Sequence, residues 1–237
     1  MLLVFIVILL FVYMDKIILF GYLYNEKHKY NKEDYAYMYV VPESKNLNIS
    51  GLQCFDEGKH SWDELKFKSL NLLVPVYIDK NIKSDSLTVR YDDGKALSAF
   101  ISSIDVNIFK PNADVANDLK ITNSFSDFTN FDVLEYILDS TPDDLLDVND
   151  PKLLTTKVIS LKLKQGLVPE NVRQIDKVMI NKNITGIVVN AMNEGSIVNV
   201  VYLYIRHLDV IYQINFINFS NEKIRCILSE IKSLEPS

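Results

Sequence analysis

The chain has 237 residues, 48% of them hydrophobic, which is enough to bury a core and too apolar for an intrinsically disordered protein. Its formal net charge of −6 argues against a nucleic acid as partner.

The first segment, MLLVFIVILLFVYM, carries no charge, and after Asp15 and Lys16 the apolar run resumes to Tyr24. A spanning helix needs about 20 apolar residues, and Leu2 to Tyr24 is long enough at about 1.5 Å of rise per residue. Leu2, Val4, Phe5, Ile6, Ile8, Leu9, Phe11, Ile17, Ile18 and Phe20 would carry such an anchor in the lipid bilayer. Lys16 can snorkel, and Tyr13, Tyr22 and Tyr24 suit a headgroup boundary. A cleaved signal peptide is disfavoured, because no basic stretch precedes the run and no small-residue cleavage site follows it. The alternative is a buried N-terminal core helix. Lys27, Lys29 and Lys32 follow the run and favour a cytoplasmic domain. Small bacterial domains behind a signal-anchor more often face outward. The expectation is a single-pass protein of the bacterial inner membrane, with its domain leaning to the periplasmic side.

The division that follows is an anchor over 1–24, a Tyr-rich linker and irregular segment over 25–67, and a globular domain over 68–237. Ser61-Trp62-Asp63-Glu64 has capping-box spacing and predicts a short helix. Leu72 to Ile78 is a strand-like apolar run, with Pro75 marking an edge or a break. Ser86–Tyr91 and Ala96–Phe109 read as strands joined by the turn Asp92-Asp93-Gly94. In the second of them Phe100, Ile104, Val106 and Ile108 share one face.

Helices are expected over Asn112–Leu119 and Asn130–Leu138, with a further start at Thr141-Pro142-Asp143-Asp144. Pro151 opens another helix, which should stop at Gly166. Four strands follow, Val172–Ile180, Ile184–Ala191, Ile197–Arg206 and Val210–Asn218, on links so short that neighbours must be antiparallel. An amphipathic helix over Glu222–Leu234 ends the pattern. Strands in blocks and helices in blocks predict an α+β fold with a central antiparallel sheet flanked by helices.

LNLLVPVYI, the hairpin SLTVRYDDGKALSAFISSIDVNIF, the meander IVNVVYLYIRHLDVIYQINFIN and the helix KIRCILSEIKSL occur in an order that resembles the Mog1/PsbP-like fold. ILDSTPDDLL is similar to a segment of uncharacterised bacterial envelope proteins of this type. The resemblance covers about residues 68–235. It implies an α/β/α sandwich and a binding role more than a catalytic one, which is analogy at the level of fold. It transfers no functional residue.

No motif for chemistry is found. His28, His60 and His207 lack the spacing of a metal site, and His60, close to Asp56, Glu57, Asp63 and Glu64, is the best cluster available. No nucleophile elbow or phosphate loop occurs, so no catalytic residue, metal or cofactor is expected. Cys54 and Cys226 are the only cysteines, and either form one disulfide in an exported domain or leave Cys226 a buried thiol.

From Ser126 to Asp150 there is no Lys or Arg, while Asp127, Asp132, Glu135, Asp139, Asp143, Asp144, Asp147 and Asp150 all occur. Asp132 and its successors form either an acidic face for a basic protein partner or a set of helix caps and solvated carboxylates. Tyr30, Tyr35, Tyr37 and Tyr39 form a second cluster, either an interface or a linker packed on the domain. The functional expectation is a non-enzymatic, membrane-anchored protein-binding domain of the envelope, an immunity protein against a toxin being one form. An envelope assembly factor is the alternative, and an unrecognised hydrolase the third reading.

Overall fold

The computed structural model describes residues 21–43, 47–49, 62–102, 104, 129–193 and 195–233. The anchor residues Leu2 to Phe20, Cys54, His60 and the helix expected over Asn112–Leu119 lie outside them. Among the described residues no helix is long and apolar enough to cross a membrane.

Local chemistry places the strands of the meander. They are β7 (Val172–Asn181), β8 (Ile184–Asn193), β9 (Ser196–Ile205) and β10 (Val210–Ile217), each antiparallel to the next. Asn181 Oδ1 accepts the Asn183 amide across the first turn at 2.9 Å. Gly195, at φ +84°, supplies the left-handed backbone of the second. Asp209, at φ +49°, does so in the third, after a 3-10 turn over Arg206–Leu208.

The sheet extends past β10 through β6 (Ala96–Ile101), β5 (Ser86–Arg90) and β4 (Asp79–Ile82). At its other end β1 (Leu47–Asn48) lies parallel on β7, which makes the eight-stranded sheet mixed rather than purely antiparallel. A second sheet orders β11 (Lys232–Ser233), β3 (Leu70–Pro75) and β2 (Trp62–Phe67).

The large sheet is covered on both faces. On one side lie α1 (residues 21–29), α2 (Asn130–Asp139) and α3 (Pro151–Leu167). Leu23, Met38, Leu134, Leu138, Val158 and Leu161 from this layer pack on Ile175, Ile187, Val189, Tyr202 and Ile211. On the other side the small sheet and α4 (Asn221–Ser229) pack Leu65, Leu72, Ile224 and Ile227 on Val201, Leu203, Ile214 and Phe216. The Tyr212 hydroxyl meets Ser69 Oγ at 2.7 Å and so ties the β2–β3 turn to β10. The molecule is therefore α+β, with a large mixed sheet flanked by helices.

Several expectations are corrected. Trp62–Phe67 is a strand and not the start of a helix, because Leu65 and Phe67 are buried at period two and pair with β3. β4 has no apolar alternation to announce it and is exposed throughout. In β6 Leu97 and Ala99 are the buried residues, while Phe100 is half-buried. Thr141-Pro142 opens only a 3-10 turn, Pro142–Leu145. Gly166 does not stop α3, which ends one residue later, where the Tyr202 hydroxyl donates to Leu167 O at 2.8 Å. α4 ends at Ser229, and Lys232–Ser233 pairs with β3 instead of continuing the helix. Of the Tyr-rich segment, the described residues 25–43 pack on the domain, with Tyr30, Tyr37 and Met38 buried, as the packed-linker alternative expects.

One glycine is required by close approach. A Cβ at Gly186 on β8 would stand 2.9 Å from Tyr202 O and 3.3 Å from Val178 Cγ2. Gly186→Ala is expected to destabilise the fold by about 1–3 kcal/mol, read as a lower midpoint in urea unfolding with an unchanged slope.

Candidate functional site

The acidic stretch is mostly consumed by structure. Thr129 caps α2, and Asp132 Oδ2 accepts the Thr129 amide at 2.9 Å and its hydroxyl at 2.6 Å. Asp144 takes the Thr141 amide at 2.7 Å, and Asp150 takes the Leu153 amide at 2.9 Å in the first turn of α3. Lys177 of β7 stands 3.0 Å from Glu135 and 3.9 Å from Asp139. Partial burial raises the Asp139 carboxyl, against the pull of Lys177 and Lys164.

A buried cation completes this side. Lys164 of α3 is fully buried, and its Nζ donates to Ser140 O at 2.7 Å, at the C-terminal cap of α2. A helix C-terminus carries partial negative charge and suits an ammonium group. Asp139 and Asp144 add to that attraction without matching the effect of burial, which lowers Lys164 to about 8. None of these lysines could be found from local sequence, because they come from α3 and β7, beyond the acidic run.

What remains outward is smaller than the stretch suggests. Asp143 and Asp147 are exposed and form no ion pair with a described residue. Leu146, between them, is 52% exposed. Beside it α1 and the segment before α3 enclose a groove of about 380 Å³ that includes Tyr24, His28, Leu146, Val148 and Leu154. Tyr24, 60% exposed, meets the His28 ring edge-on at 4.6 Å. Lys27 Nζ donates to Val148 O at 3.3 Å and holds α1 to that segment. Most of the acidic residues are thus engaged within the fold; Asp143 and Asp147 are near Leu146 in sequence but do not line the groove, whose charged lining residue is Lys27.

Cys226 on α4 is disulfide-bonded, and Cys54, the chain's other cysteine, lies outside the described residues. His207 sits in the β9–β10 turn. Among the described residues no three His, Cys, Asp or Glu side chains could together hold a metal ion. The chain matches no known family pattern, and no curated protein is significantly similar to it.

Lys164 makes stability depend on pH. In the unfolded chain a lysine holds its proton to about 10.4. In the folded chain Lys164 loses it near 8, so the unfolded state binds more protons between those values and stability rises with pH. The buried hydroxyls of Tyr30, Tyr91, Tyr202 and Tyr204 are all pushed up by burial, and they oppose this trend from about pH 9, where tyrosines of the unfolded chain begin to ionise. Taken as the difference between the native chain and Lys164→Met, in which the tyrosines cancel, urea unfolding is expected to show a gain of about 2 kcal/mol between about pH 8 and about pH 10. An equal pH profile in both chains would contradict it.

Proposed function

We propose that the chain is a non-enzymatic, membrane-anchored protein-binding domain of the bacterial envelope, and that its partner docks on the groove between α1 and the segment before α3. The observation that carries this reading is the exposed pair Tyr24 and Leu146 in the groove, with the exposed Asp143 and Asp147, near Leu146 in sequence and outside the groove's lining, left without an ion pair to a described lysine or arginine. Aromatic and aliphatic side chains in a groove provide anchor points, and unpaired carboxylates around them select a basic partner. Residues 21–24 of the apolar run belong to α1, with Leu23 in the domain core and Tyr24 lining the groove, so the proposed anchor is Leu2–Phe20 and adjoins the docking site in sequence. The disulfide at Cys226 supports an oxidising compartment and hence the outward orientation.

The sheet is covered by helices on one face and by the small sheet with α4 on the other, so the Mog1/PsbP-like resemblance, which implies an α/β/α sandwich, has support only from the coarse layering. In its narrower form the proposal makes the partner a basic toxin and the chain its immunity protein. An envelope assembly factor would bind through the Tyr-rich segment and the sheet, and the burial of Tyr30 and Tyr37 commits those two rings to the core.

A photo-crosslinking residue at position 146, introduced in the full-length chain in its native cells, tests the site. We expect one discrete adduct, reduced at least about tenfold when Asp143 and Asp147 are both changed to Lys. An adduct that survives this charge reversal undiminished, or no adduct at all, overturns the proposal.

A further inference from the structure

A second cavity, of about 660 Å³, lies where four separate segments converge, and it shares no residue with the groove. Its volume falls within the range typical of small-molecule sites. The segments are the end of β3, the β5–β6 turn, the start of β9, and the junction of β10 with α4. Val76, 55% exposed, and Ile197, 43% exposed, leave apolar surface open in it, and Phe219 is a third apolar lining residue.

The cleft is held in shape by its own backbone. Asn218 adopts the left-handed conformation at φ +61°, and its amide donates to Ile197 O at 2.8 Å. Its side-chain Nδ2 donates to Gly94 O at 3.3 Å, across to the β5–β6 turn. Gly94 is itself left-handed at φ +74°. These bonds join three of the converging segments, so a ligand would meet a preformed site and lose little to ordering it.

The charges in the cleft are of two kinds. Lys95 and Asp93 neutralise each other in a salt bridge. Lys223 and Asp92 remain, and neither forms an ion pair with a described residue. Lys223 is positioned by the Trp62 ring, with Nζ 4.2 Å from its centroid. It belongs to the first turn of α4, whose amides add partial positive charge. Asp92 is exposed on the turn across the cleft. A simple anion would gain Lys223 and be repelled by Asp92, and a simple cation would meet the reverse.

We propose that this cleft binds a small zwitterion with an apolar body, for which a free hydrophobic α-amino acid is the simplest fit. The carboxylate goes to Lys223 and the first turn of α4, the ammonium to Asp92, and the apolar side chain to Val76, Ile197 and Phe219.

Calorimetric titration of the full-length chain with L-phenylalanine tests this. One saturable site is expected, with a dissociation constant between about 10 μM and about 1 mM. Lys223→Ala should weaken binding at least about tenfold. Because Lys223 also stacks on Trp62, Asp92→Asn on the exposed turn provides a second, independent reading. It should weaken L-phenylalanine about fivefold, while 3-phenylpropionate, an anion that Asp92 repels, should bind the variant no more weakly than the native chain. No saturable binding of L-phenylalanine or L-leucine up to about 10 mM would overturn the proposal. So would unchanged affinity in Asp92→Asn, or 3-phenylpropionate binding the native chain as tightly as L-phenylalanine.

Discussion

β9 is buried on both of its faces, and the rest of the architecture answers to that. Val200 through Ile205 form an unbroken buried run, with alternate residues in opposite cores. A strand of this kind has no solvent face, so each side of the sheet needs its own cover. Val201, Leu203 and Ile205 are covered by the small sheet and α4. Val200, Tyr202 and Tyr204 are covered by the helical layer, which includes Leu23 of α1 and Met38 of the 3-10 turn that follows. This need turns the polar, Tyr-rich segment into structure, and it places α1 against the segment before α3 to form the groove.

Burying so much sheet traps polar groups, and most of them are matched. Asp209 receives the Asn130 amide at 2.9 Å and the Tyr204 hydroxyl at 3.1 Å, joining the β9–β10 turn to the start of α2. Lys164 meets the end of the same helix from inside. With Lys177 engaging Glu135 and Asp139, the helical layer is tied at both ends of α2, and the acidic charge there is largely spent on the fold. Tyr30, Asn71, Tyr91 and Asn199 are exceptions: each has a buried side-chain polar atom without a hydrogen-bond partner among the described residues, at a cost of about 1–3 kcal/mol apiece that the surrounding packing must offset. The carboxylates that this accounting omits are Asp143 and Asp147, both exposed.

The meander was legible because its strands are long, rich in β-branched residues and separated by Asn and Gly turns; the observed ends differ from the reading by a residue or two. Where local and tertiary signals conflict, the sequence misleads. The capping-box spacing at Ser61 predicts a helix, yet cross-strand pairing with β3 makes Trp62–Phe67 a strand. Asp79–Ile82 is a strand only because β5 offers it an edge. The acidic run reads as one face because its counter-charges arrive from α3 and β7, and only the fold sorts structural carboxylates from exposed ones. The cleft at the β10–α4 junction likewise draws on segments more than a hundred residues apart, for which no local motif exists.

The account depends on α1 and the Tyr-rich segment being docked, since the groove has no second wall without them. Hydrogen exchange of the full-length chain, followed by mass spectrometry over peptides spanning residues 21–40, addresses this directly. The account predicts slow exchange at Leu23 and Met38, comparable to that of α3. Exchange there as fast as in an unstructured chain would contradict it, and would return the segment to the status of a linker.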